Sequence, residues 1–179
     1  YSTAICDSVH TTIIDISNSP LSFSEMNLDG NAYQMNGNTF SLTENQNWDY
    51  GSIWFTNAID LTQSFDLSFE LFFGCNDSGA DGMVFVLQQN NTNIGSSGFG
   101  MGYDGIVPSI GVEFDTYTNT NDPSDDHIAI LQNGDVNHGT TNTISGPVQA
   151  SSSSTNIEDC VFHSVEIIWN ASTMVFEVY

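Results

Sequence analysis

The sequence predicts an all-β sandwich or barrel, and three observations carry that expectation. No run of apolar residues at i, i+3, i+4 and i+7 persists over three turns, so amphipathic helices are not expected. Short alternating or apolar runs recur instead, separated by Gly, Asn, Asp and Ser clusters that favour turns. One run, GMVFVL, is apolar on both faces, as in a strand buried between two layers.

The runs follow in order. TFSLT (39–43) and GSIWFT (51–56) open the series. In FDLSFELFFG (65–74), strand alternation puts Phe65, Leu67, Phe69 and Leu71 on one side and Asp66, Ser68 and Glu70 on the other. GMVFVLQQ (82–89), SIGVEFDTY (109–117) and HIAILQ (127–132) come next. QASSSSTN (149–156) reads as a solvated low-complexity loop. HSVEIIWN (163–170) places Val165, Ile167 and Trp169 on one face, and MVFEVY (174–179) closes the series. There is no internal repeat and no domain-scale linker, so residues 1–179 are expected to form one domain. MVFEVY ends without a closing turn, so another chain or segment is expected to complete the sheet after Tyr179. No basic region precedes an apolar one at the start, which predicts a mature or trimmed chain.

Composition limits the function. With 179 residues, 39% hydrophobic content and 12 phenylalanines, the chain can bury a substantial core. No run of 18 apolar residues exists, so no membrane insertion is expected. Lys+Arg is 0, against about 20 at average usage. Asp+Glu is 22, giving a formal net charge of −22 that argues against nucleic acid and anionic membrane surfaces. Two readings of the missing cations are an extracellular protein without sites for trypsin-like proteases, and an acidic surface that wants divalent cations. Compositional drift is the third. Cys6, Cys75 and Cys160 leave an odd thiol whose partner lies outside this sequence, unless all three are buried small hydrophobes.

The stretch EFDTYTNTNDPSDDH (113–127) carries the chemistry. In a strand, Glu113, Asp115 and Tyr117 point to one side, with the carboxylates about 7 Å apart. Asn119 and Asp122 supply oxygens, and His127 an imidazole nitrogen at the start of the next strand. Oxygen ligands suit Ca2+, and a mixed carboxylate and histidine set suits Mn2+ or another transition metal. The residues therefore divide into two adjacent sites sharing Asp115 and Asp122. A solvated acidic loop is the plain alternative.

The order of residues closely resembles the metal loop of the L-type (legume-type) lectins: Glu113, Asp115, Tyr117, Asn119, Asp122-Pro123, then His127 opening a strand. GADGMVFVL (79–87) resembles that family's Ala-Asp-Gly strand entry, and GFGMGYDGIVPSIGVEFDTY (98–117) its glycine-rich loop. A weaker likeness to bacterial members runs from about Leu21 through GSIWF (51–55) to the C-terminal strands. The resemblance implies a concanavalin A-like jelly roll of two antiparallel sheets, lacking its last strands in this sequence. It implies that Glu113, Asp115, Asp122 and His127 hold the transition metal. Asp115, Asp122, the Asn119 side chain and the Tyr117 carbonyl would hold Ca2+. Asp81 would accept hydrogen bonds from sugar hydroxyls, Asn119 would donate one, and an N–H near Gly98–Gly100 would complete the set. The Tyr117 ring would stack on the pyranose. A cis peptide is expected at Ala80–Asp81. The partners implied are glycans, and the location secreted or cell-surface.

For the cysteines, the expected pairing is Cys75 with Cys160, leaving Cys6 for another segment, with free thiols as the alternative. A β-jelly-roll glycoside hydrolase is the enzyme rival. Related glucanases carry Glu-x-Asp-x-x-Glu, but Thr118 occupies the last of those positions, so no enzymatic activity is expected. His10, His138 and His163 lack a motif and are expected at turns or strand edges. A structural or protein-interaction module of a surface adhesin, with the metals serving rigidity alone, is the other rival. Rigidity needs only the 113–127 ligands, whereas sugar binding also needs Asp81 and the glycine-rich loop.

Overall fold

The computed structural model describes the backbone of residues 2–6 and 10–13 and the whole of residues 26–90, 94, 95 and 97–179. The side chains of Cys6 and His10, and the start of the likeness at Leu21, lie outside the described residues. Among them, thirteen strands run β1 (Ser2–Cys6), β2 (His10–Ile13), β3 (Met26–Gly30), β4 (Tyr33–Asn36), β5 (Thr39–Thr43), β6 (Gly51–Phe55) and β7 (Phe65–Phe72). β8 (Gly82–Gln88), β9 (Ser109–Asp115), β10 (His127–Gln132), β11 (Thr143–Gln149), β12 (Phe162–Asn170) and β13 (Val175–Val178) complete the set.

The strands form a seven-stranded sheet in the order β11-β10-β9-β8-β1-β6-β3 and a six-stranded sheet in the order β13-β12-β7-β2-β5-β4. The pairs are antiparallel. The eight runs expected from sequence all appear as strands, most within one or two residues of the expected ends. Five further strands were not expected, and three of them, β3, β4 and β11, are sheet edges. An edge strand has a ladder partner on one side only and tolerates polar residues and proline. β11, with Gly146-Pro147 in its middle, is such a case.

Alternation fills the space between the sheets. Leu67, Phe69 and Leu71 of β7 and Val165 and Ile167 of β12 meet Met83, Phe85, Val112 and Phe114 of the larger sheet. The opposite face of the larger sheet is apolar too. Val84 and Val86 of β8 and Ala129 and Leu131 of β10 pack beneath Met101, Tyr103, Ile106 and Val136 from covering loops. A sheet covered on both faces explains the continuous apolar run of β8. One close approach requires glycine: a Cβ on Gly111 of β9 would lie 2.7–3.0 Å from the buried Tyr103 ring. The loops over this outer face matter, because Glu113 and Asp115 point toward them.

Candidate functional site

On β9, Val112 and Phe114 face the inter-sheet core. Glu113 and Asp115 therefore face outward, into the layer of covering loops. The ladder sets their neighbours: Asp115 pairs with His127 of β10 and with Gly82 of β8, while Glu113 pairs with Ala129 and Val84. All three polar residues are buried, Glu113 fully. His127 Nε2 lies 3.8 Å from Glu113 Oε1 and 3.9 Å from Asp115 Oδ2. His127 Nδ1 is 3.2 Å from the Asp125 carbonyl, which can only accept, so Nδ1 carries the proton and Nε2 a lone pair aimed at the carboxylates.

β9 ends at Asp115, two residues earlier than SIGVEFDTY predicts. The Tyr117 N–H turns back to Asp115 Oδ1 at 2.8 Å, a local side-chain bond that competes with the ladder. Strand alternation thus stops before Tyr117, and its ring stands exposed by 47% instead of sharing the carboxylates' buried face. A second hook follows, from the Asn119 N–H to Asp122 Oδ2 at 2.7 Å. Asp115 and Asp122 each spend one oxygen on the loop backbone and keep the other for the cluster.

His138, expected at a turn without a ligand's role, belongs to this cluster. The β10–β11 loop carries it back over the sheet, where Nε2 contacts Glu113 Oε1 and Nδ1 lies 3.1 Å from Asp122 Oδ1. Asp135 shapes that loop by accepting from the Asn137 N–H, Asn137 Nδ2, Thr140 Oγ1 and Asn142 Nδ2 at 2.9–3.0 Å. Those donors hold its carboxyl well below the usual carboxylate range. The linear motif could not show this residue, since 25 positions separate His138 from Glu113. Its signal lay in topology: the loop leaves the strand that begins with His127. His163, by contrast, fits its expected structural role, with Nε2 at 3.0 Å from the Ile157 carbonyl and from Asp159 Oδ1.

Burial dominates the electrostatics. It pushes the Asp115 carboxyl up to about 8, helped by the charges of Glu113, Asp122 and Asp81. Burial also raises Glu113, against the hydrogen bond from His138. Burial lowers His127, whereas bonding to Glu113 raises His138. Glu113 Oε2, His127 Nε2 and His138 Nδ1 are buried without a hydrogen-bond partner among the described residues. Each buried orphan costs about 1–3 kcal/mol. One ligand atom each from Glu113, His127 and His138 lies within 4.8 Å of the others. Converging orphan donors of this chemistry fit a metal ion.

Asp81 lies beside this cluster, 7% exposed, its carbonyl accepting the Thr116 N–H at 3.0 Å. The Ala80–Asp81 peptide is cis, as expected. Gly82 follows with φ +141°, and a Cβ there would strike the Phe114 carbonyl oxygen and approach Asp115 Cα at 3.0 Å. Only glycine lets β8 pass so close to the end of β9. The Gly98–Gly100 turn is closed by Met101 N–H to Gly98 O at 2.8 Å and Tyr103 N–H to Gly100 O at 2.7 Å. Phe99 projects from it, exposed. Cys75 and Cys160 form the expected disulfide, beside the end of the β7–β12 ladder.

A family model described as the legume lectin beta-barrel domain matches residues 17–179. The chain belongs to the legume-type lectin family. This L-type lectin domain superposes on the crystal structure of basic winged bean lectin with Tn-antigen at a TM-score of 0.65. The identity is 22%, over 94% of this chain and 79% of that one. At that identity the match establishes the fold. The pesticidal crystal protein Cry22Aa of Bacillus thuringiensis is 32% identical over 88 residues, 49% of this chain. The chain spans about 12% of that relative's length. The two-sheet sandwich expected from the likeness of residues 113–127 to this family is the fold observed.

Proposed function

We propose that this L-type lectin domain binds glycans through a cation-organised platform on the outer face of its larger sheet, with no enzymatic step. The observation that supports the reading is that Asp81 lies against Asp115 and Thr116, next to the buried cluster of Glu113, His127 and His138. Glu113, Asp115, Asp122 and His127 would hold a transition metal such as Mn2+. Asp115, Asp122, the Asn119 side chain and the Tyr117 carbonyl would hold Ca2+. The ions supply fixed positive charge that neutralises the buried carboxylates and orders the 116–126 loop.

Asp81 would accept from two sugar hydroxyls, the Asn119 amide would donate to another, and the Gly98–Gly100 backbone would add an N–H. The exposed Tyr117 ring offers a flat apolar surface to the C–H face of a pyranose. Affinity per site would be modest, roughly millimolar to micromolar, because sugar hydroxyls are well hydrated. The disulfide suits an oxidising location, secreted or cell-surface, as in an adhesin.

Glycan-array binding with and without EDTA, on wild type and Asp81→Ala, tests this. Asp81→Ala should abolish binding and leave cation-dependent melting intact. EDTA should remove binding and lower the melting temperature together. Binding that survives Asp81→Ala would overturn the sugar site. Binding and melting indifferent to EDTA would overturn the cation platform.

A further inference from the structure

We propose that His138 is a direct ligand of the transition ion, and that the resulting two-imidazole site selects Zn2+, Co2+ or Ni2+ over Mn2+. The inference rests on the proposed cation platform and adds to it a ligand that the 113–127 motif lacks.

His138 Nε2 contacts Glu113 Oε1 while Nδ1 sits 3.1 Å from Asp122 Oδ1. Nδ1 makes no hydrogen bond to that oxygen and is buried without a partner among the described residues, so one ring nitrogen is left for a ligand that these side chains do not supply. His127 is already committed as a lone-pair donor at Nε2, because its Nδ1 donates to the Asp125 carbonyl. The two rings lie side by side and nearly perpendicular, with centroids 4.9 Å apart at 76°. Their nitrogens and a Glu113 oxygen lie within 4.8 Å of one another, so small shifts would bring them to the separation of at most about 4.4 Å that two donors about 2.2 Å from one ion allow.

The chain has no Lys or Arg to serve these carboxylates instead. An ion held here would have two imidazoles and carboxylates around it. Sets of carboxylate and water suit Mn2+, whereas imidazole favours Zn2+, Co2+ and Ni2+, which also stand above Mn2+ in general affinity order. The rival role for His138 is a doubly protonated counter-ion bridging Glu113 and Asp122 without touching metal.

The test uses the whole chain, stripped of metal and then saturated with Ca2+, titrated with Zn2+ or Mn2+ by calorimetry. The ion retained from an equimolar Zn2+/Mn2+ mixture is identified by elemental analysis. Wild type should retain Zn2+ in preference to Mn2+. His138→Ser should bind Zn2+ at least about tenfold more weakly, with Mn2+ affinity little changed and the visible spectrum of the Co2+-loaded protein altered. His138→Gln serves as a second variant should the first fail to fold by circular dichroism. Equal Zn2+ affinity in wild type and variants, with superimposable Co2+ spectra, would assign His138 to the counter-ion role and overturn the proposal. Failure of wild type to bind either ion would instead overturn the cation platform on which it rests.

Discussion

Held in EDTA, this domain should become less stable as pH rises. Asp115 is 4% exposed, and burial raises its carboxyl to about 8 in the cation-free protein. Glu158, in the loop before β12 and also 4% exposed, is raised to about 8 by burial and by the charges of Asp126 and Asp77. A raised carboxyl binds more protons folded than unfolded, so its shift costs stability as pH climbs from the unfolded value toward the folded one. Between about pH 6.5 and 8 each such group should cost on the order of 2 kcal/mol. His138, also raised, loses its contribution over the same direction of pH. His127, lowered by burial, acts oppositely, but below this window.

Two groups at that cost should lower the melting temperature by roughly 10 °C across the window, at about 2–4 °C per kcal/mol for a domain of this size. Calorimetric melts in EDTA at the two pH values check this. With Ca2+ and a transition ion present, Asp115 stays ionised in both conditions and its share of the slope should vanish. Asp115→Asn should remove the same share in EDTA. Glu158 is not among the proposed ligands, so its share should persist in every sample. A cation-free melting temperature that is flat or rising across the window would refute the electrostatic picture.

The other expected outcomes concern supports. Asp135→Ala removes the acceptor of four hydrogen bonds that shape the His138 loop; transition-metal affinity measured by calorimetry should fall several-fold, with Ca2+ affinity unchanged. Reduction of Cys75–Cys160, which spans a sequence separation of 85, should cost up to about 4–5 kcal/mol and lower the melting temperature read with and without reductant. Gly111→Ala puts a methyl 2.7–3.0 Å from the buried Tyr103 ring, and should cost about 1–3 kcal/mol in denaturant unfolding.

The central strands β5 to β10 and β12 were legible because both their faces are buried or cleanly alternate, whereas β1 and β2, also central, were not expected. β8 reads as one apolar run, since Val84 and Val86 meet the loop layer while Met83 and Phe85 meet the other sheet. The neighbourhood of Glu113, Asp115 and His127 was legible because a period of two puts Glu113 and Asp115 on one face and the next strand opens with His127. The edges were not. β3 (MNLDG) and β4 (YQMN) are short and mostly polar, and β11 is broken by Gly146-Pro147. Tyr117 was misplaced because the Asp115 side chain captures its N–H and ends the strand. His138 escaped because its place follows from a loop folding back across β9 and β10, which no local periodicity encodes.

The absence of Lys and Arg joins these observations into one requirement. A buried carboxylate is ordinarily neutralised by a cationic side chain, by a proton or by a metal ion. The first route is closed throughout the chain apart from four histidines. Of these, His163 is engaged with Asp159 and the Ile157 carbonyl, and His127 and His138 lie inside the cluster. Glu113, Asp115 and Asp122 are left to protons and metal ions, which therefore compete for the same oxygens. The competition reaches the surface through two hydrogen bonds, Tyr117 N–H to Asp115 and Asn119 N–H to Asp122. Protonating Asp115 weakens its hook, while a bound cation would keep the oxygens charged and the hooks strong. Tyr117 and Asn119, the side chains proposed to meet sugar, are thereby held most firmly when the buried cluster is loaded.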